Sequence, residues 1–107
     1  MEDNKQACQP WPQPDYEMYD SVLAEFSKYM RKELEANFDK GDRNGEYGWL
    51  KTTDNKYWIS EIYYHTGKLQ EAIRIDDIDK IKEYCADIAN LSMMLLDVKI
   101  NLLKSQK

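Results

Sequence analysis

The sequence predicts an all-α protein built on three main helices. Two observations carry this. Three long segments, around 15–37, 53–75 and 76–103, place apolar side chains at three- and four-residue spacing, the period of a helix with a buried face. Three of the four glycines, Gly41, Gly45 and Gly48, fall together between the first two segments, where they mark a loop.

Residues 1–14 read as a flexible lead-in, because Pro10, Pro12 and Pro14 block a helix and favour extended backbone. One domain then occupies 15–107. Its first helix runs from near Asp15 to about Asn37. Tyr19, Val22, Leu23, Phe26, Tyr29, Met30 and Leu34 form the apolar face, and Glu25, Lys28, Arg31, Lys32 and Glu35 the charged one. The loop "DKGDRNGEYGWLKTTDN" follows. It lacks the Gly-Lys-Ser/Thr of a Walker loop. As a calcium loop it would put Lys40 and Lys51 where the end ligands belong, which excludes that reading. It does offer Lys40, Arg43 and Trp49, two cations and a ring in one segment. The bland alternative is solvated charge and a Trp that covers the core.

Thr53 or Asp54 caps the second helix, which runs to about Ile75. Trp58, Ile62, His65, Leu69 and Ile73 form its stripe, with Glu61 and Lys68 at the edge beside His65. Gly67 inside this helix costs roughly 1 kcal/mol relative to Ala, and reads either as room for a close helix approach or as neutral. Asp76 or Asp77 caps the third helix, which runs to about Leu103. Ile78, Ile81, Cys85, Ile88, Leu91, Leu95, Val98 and Leu102 give it a long apolar face. Ala89, Met93, Leu96, Ile100 and Leu103 extend that face almost all round. Three helices do not easily cover such a surface, so the pattern points to homo-oligomerisation that completes a four-helix or larger bundle.

Charged residues make up 33% of the chain and hydrophobic ones 42%, as in an ordinary globular protein. The net charge of −5 argues against a broad nucleic-acid footprint, though not against a nucleotide held by a local basic cluster or a metal. No apolar run is long enough to span a membrane, and the first residues do not form a signal peptide. Cys8 and Cys85 make no disulfide framework, which fits a reduced, cytoplasmic setting.

One narrow strip of the third helix is polar. Glu83, Asp87, Asn90, Met94, Asp97 and Asn101 fall within a sector of about 60–80°. Glu83 and Asp87 form an i, i+4 like-charge pair, mildly destabilising unless a cation lies between them. Lys80 could supply that cation, and so could a metal ion. Carboxylates from several helices are how bundles build metal sites, and oxygen ligands suit Mg²⁺ or Mn²⁺. The strip therefore reads as a solvated face or as a metal-binding one.

The segment "ADIANLSMMLLD" resembles the "Ala-Asp-Val-Ala-Asn…Met-Met…Asp" segment of MazG-like nucleotide pyrophosphohydrolases, the all-α NTP pyrophosphatases. "NFDKGDRNG…GWL" is similar to the family's loop after the first helix, and "GKLQEAI" to the end of its second. The resemblance covers roughly residues 20–100, in order. It implies hydrolysis of a nucleoside or deoxynucleoside triphosphate to monophosphate and pyrophosphate, with Mg²⁺ or Mn²⁺ on carboxylates, by a homodimer or homotetramer. The chain departs from the family where Glu-x-x-Glu becomes His65-x-x-Lys68 and Glu-x-x-Asp becomes Tyr84-x-x-Asp87. Glu61 offers a carboxylate one turn earlier, and Glu83 lies one residue off. Only Asp87 carries over cleanly, with Asn90 and Asp97 matching neighbouring positions.

Three readings follow. In the leading one Asp87, Glu83 and Glu61 bind the metal and His65 is a ligand or base. Lys40, Arg43 and Lys68 then contact phosphate, and Trp49 stacks on the base. In the second, Lys68 stands in for the metal and the protein binds nucleotide without hydrolysing it. In the third, His65 and Lys68 are structural and the module serves oligomer or partner contacts.

Overall fold

A computed structural model describes residues 11–38 and 48–106. These form α1 (Tyr16–Ala36), a short 3₁₀ turn (Gly48–Lys51), α2 (Asn55–Arg74) and α3 (Ile78–Ser105), and no strand occurs among them. The protein is all-α with three main helices, as the apolar spacing predicts. No described helix is long and apolar enough to cross a membrane. Lys40 and Arg43 lie outside the described residues. Trp11, in the lead-in, is exposed.

Each helix begins on an aspartate. Asp15 accepts from the Met18 N–H, Asp54 from Lys56 and Asp77 from Lys80. A side-chain oxygen there satisfies a backbone donor that the helix itself cannot. Of the sequence alternatives at the two later starts, Asp54 and Asp77 are the caps. Asp76 takes a different role, with φ of 55°. Its N–H donates to the Ile73 carbonyl and that of Asp77 to the Ala72 carbonyl. That pair is a Schellman closure, which ends α2 and turns the chain directly into α3.

α3 is the centre of the molecule. α1 and α2 both pack on it and not on each other, and the 3₁₀ turn closes its later half. α2 runs antiparallel to it, with Asn55 beside Lys99 and His65 beside Asp87. The Asn90 amide of α3 donates to the Met30 carbonyl of α1, and His65 of α2 meets Asp87 of α3. The core is Trp58, Leu91, Met94 and Val98, with Leu34, Trp49, Leu50, Tyr57, Ile62 and Leu95 packed against it. Fully burying each such side chain contributes about 1.5–3 kcal/mol. The Trp58 indole N–H reaches the Thr52 carbonyl at 2.9 Å. Ala72 and Ala86 are also buried.

The apolar face of α1 is only half used. Phe26, Tyr29, Met30 and Leu34 are partly buried, whereas Tyr19, Val22 and Leu23 are exposed. α1 meets α3 through its C-terminal half, so the earlier part of its stripe has no partner helix. Ile73 and Ile78, at the α2–α3 turn, are exposed for the same reason. Gly67 makes no close approach, since a Cβ added there would meet nothing within 4 Å.

Candidate functional site

The polar strip of α3 is not a solvated face. Asn90 and Met94 are fully buried, and Asp87 and Asp97 partly so. Met93, Leu96 and Ile100 point outward instead. The strip lines the junction of the helices, which places its carboxylates where desolvation makes charge interactions stronger.

Asp87 sits at that junction. Its side chain is 13% exposed, and its Oδ2 lies 3.6 Å from Nδ1 of His65. The other ring nitrogen of His65 stands 3.7 Å from Glu61 Oε1, one turn earlier on α2. Both gaps are longer than a hydrogen bond. His65 Nδ1 is buried and has no hydrogen-bond partner among the described residues. Glu61, His65 and Asp87 therefore form a row that crosses from α2 to α3.

A further carboxylate approaches Asp87 from the other side. Oxygens of Glu33 on α1 and of Glu83 and Asp87 on α3 lie within 4.8 Å of one another, and all three residues are half-buried. The i, i+4 spacing of α3 sets the first pair, and the packing of α1 against α3 brings in the third. Glu33 was not among the residues singled out from the sequence. Its signal is visible in retrospect: Phe26, Met30, Glu33 and Asn37 repeat at helical spacing along the side of α1 that meets α3, so an acid occupies a core-facing row. Glu61, on the far side of His65, is not in this cluster.

Three like charges this close repel, and each adds to the cost of folding. Lys80 answers Glu83 at 3.7 Å, but both side chains are well exposed and such a pair contributes little. The donor set fits a divalent ion that prefers hard oxygen ligands, Mg²⁺ or Mn²⁺. Asn90 adds to that fit. It is 2% exposed, and while its Nδ2 donates to Met30 at 3.0 Å, its Oδ1 accepts nothing among the described residues. It stands one turn from Asp87 on the same strip, a buried neutral oxygen beside the acids.

The remaining candidates are placed as follows. The Lys68 ammonium is held between two rings, 4.8 Å from the Tyr64 centroid and 4.7 Å from that of Tyr84. Cation–π attraction ties it to the α2–α3 seam. The Trp49 indole donates to Asp97 Oδ2 at 2.9 Å and packs on the core. Asp97 is ten residues beyond Asp87, so Trp49 lies about 15 Å along α3 from the acids. Near the cluster on α1, the Tyr29 hydroxyl donates to Glu25 at 3.0 Å. That bond, and then the negative charge of Glu25, raises the Tyr29 hydroxyl above its ordinary value. The same bond, followed by that from Lys28, lowers the Glu25 carboxyl.

No protein-family model, curated protein or solved structure matches the chain.

Proposed function

We propose that this protein is a metal-dependent pyrophosphohydrolase of nucleoside or deoxynucleoside triphosphates, acting as a cytoplasmic homo-oligomer. The observation that carries the reading is the convergence of Glu33, Glu83 and Asp87, half-buried, from two helices. The resemblance of "ADIANLSMMLLD" to the MazG-like segment supports it, because Asp87 is both the matched residue and a member of the cluster.

Water adds to the α-phosphorus, the bond from that phosphorus to the bridging oxygen breaks, and pyrophosphate leaves. Glu33, Glu83 and Asp87 would hold the metal, with Asn90 Oδ1 as a neutral oxygen beside them. A divalent ion there supplies charge neutralisation on the phosphates and lowers the pKa of a bound water. His65, between Asp87 and Glu61, is a base within 4 Å of the Asp87 carboxylate. Glu61 steadies the imidazole rather than joining the cluster.

Incubation with a panel of NTPs and dNTPs in Mg²⁺ or Mn²⁺, followed by chromatography, tests this. Monophosphate and pyrophosphate are expected, and Asp87→Ala is expected to abolish both while leaving helicity and oligomer size intact. Turnover retained in Asp87→Ala removes the cluster from the chemistry. Nucleotide that raises the melting temperature with no product released supports a non-catalytic nucleotide binder instead.

A further inference from the structure

The carboxylate cluster opens onto a cleft of about 430 Å³ between α1 and α3, lined by Tyr29, Lys32, Glu33, Asp79, Lys82 and Glu83. That volume is within the range of small-molecule sites. Two members of the cluster, Glu33 and Glu83, are thus also walls of the cleft. Each has a lysine as its chain neighbour, Lys32 on α1 and Lys82 on α3. Adjacent residues on a helix differ by about 100°, so the lysines flank the carboxylates rather than continue their row. Among the described residues neither ammonium group is held in an ion pair by a carboxylate. Lys82 stands 5.6 Å from the centroid of Tyr29, whose hydroxyl is anchored by Glu25.

We infer that Lys32 and Lys82 bind the polyphosphate chain of the substrate in this cleft, alongside a metal on the neighbouring acids. The inference rests on the metal-dependent reading above and names its phosphate contacts. The charge balance is what drives it. Glu33, Glu83, Asp87 and Asp79 make the cleft repel an anion. Lys80, 3.7 Å from Glu83, offsets one of these charges, and a divalent ion together with the two lysines turns the balance positive. Neither source of positive charge suffices alone, so polyphosphate binding needs both. Asn90 Oδ1, buried one turn from Asp87 and accepting nothing among the described residues, is an independent sign that the strip is built to meet a ligand. Lys68, gripped by Tyr64 and Tyr84, is left to a structural role.

The two ligands answer oppositely to loss of the lysines. Removing positive charge beside acids strengthens attraction for a cation and weakens it for an anion. In Lys32→Gln/Lys82→Gln, Mn²⁺ alone, followed by electron paramagnetic resonance, is expected to bind as tightly as in the wild type or tighter. Inorganic tripolyphosphate in excess Mg²⁺, followed by calorimetry, is expected to bind about tenfold or more weakly. Lys32→Arg/Lys82→Arg is expected to restore it, which separates charge from damage to the fold. Unchanged tripolyphosphate affinity in the Gln variant, or parallel loss of both ligands with no rescue by Arg, overturns the inference.

Failure here and failure of the activity differ. Wild type that binds tripolyphosphate but hydrolyses no nucleotide keeps the cleft and loses the enzyme. Triphosphate turnover whose KM ignores both lysines keeps the enzyme and loses the cleft. NTPs that bind more tightly than tripolyphosphate identify the occupant as a nucleotide; equal affinity identifies it as the polyphosphate chain alone and overturns the nucleotide assignment.

Discussion

Asn90 and Glu33 show how single residues are decided by their surroundings. Asn90 is buried with one polar group satisfied and one not, an arrangement that costs stability. In Asn90→Leu the cost of the unsatisfied Oδ1 is removed, while the Met30 carbonyl loses the amide's donation and keeps its place in the helix ladder, two changes of similar size and opposite sign. Asn90→Leu is therefore expected to change unfolding free energy by less than about 1 kcal/mol in a denaturant titration. The same variant is expected to weaken Mn²⁺ binding, the mark of a residue kept for what it holds. A loss of several kcal/mol would make the bond to Met30 its main purpose. Asp87 was legible in the sequence because it belongs to a polar strip on an otherwise greasy helix. Glu33 was not, because it lies some fifty residues earlier and reaches Asp87 only through the packing of α1.

At the scale of the element, the helix starts were the most legible features. Aspartates stand where orphan N–H groups need acceptors, and that chemistry is local. Asp76 could not be told from Asp77 by sequence, because both types suit a cap; the left-handed φ of Asp76 arises from the Schellman closure. Gly67 is a second local feature that the structure resolves. It is exposed, inside α2, with open space where a Cβ would stand. Gly67→Ala is expected to stabilise the protein by about 1 kcal/mol, since helix entropy is regained and no contact is lost. A higher midpoint in thermal or urea unfolding would show it, and a lower one would mean that α2 needs glycine there.

The whole molecule is amphipathic in an inverted sense. The polar strip of α3 faces its helical neighbours, and an apolar row faces outward. Met93, Leu96, Ile100 and Leu103 in that row are 39%, 60%, 40% and 64% exposed. Their spacing of three, four and three residues is that of a heptad seam. Beside it, Trp49, Met93, Leu96, Asp97 and Ile100 line an apolar groove of about 480 Å³. A row of this kind on a second copy is the natural cover in the proposed oligomer. Leu96→Glu/Ile100→Glu is expected to reduce the sedimenting mass to that of a monomer with helicity kept. Wild type already monomeric at tens of micromolar would remove the oligomer from the account.

The sequence by itself determined that the protein is helical, about where its helices begin, and which helix carries a polar strip. Those features rest on the helical period, on capping and on the contrast between one polar strip and its greasy surroundings, all local in the chain. Only the tertiary structure decided which way that strip turns and what meets it. His65 from α2 and Glu33 from α1 reach Asp87 because both helices pack on α3. Periodicity fixes which residues share a face, but only the packing of other helices decides whether that face is wet.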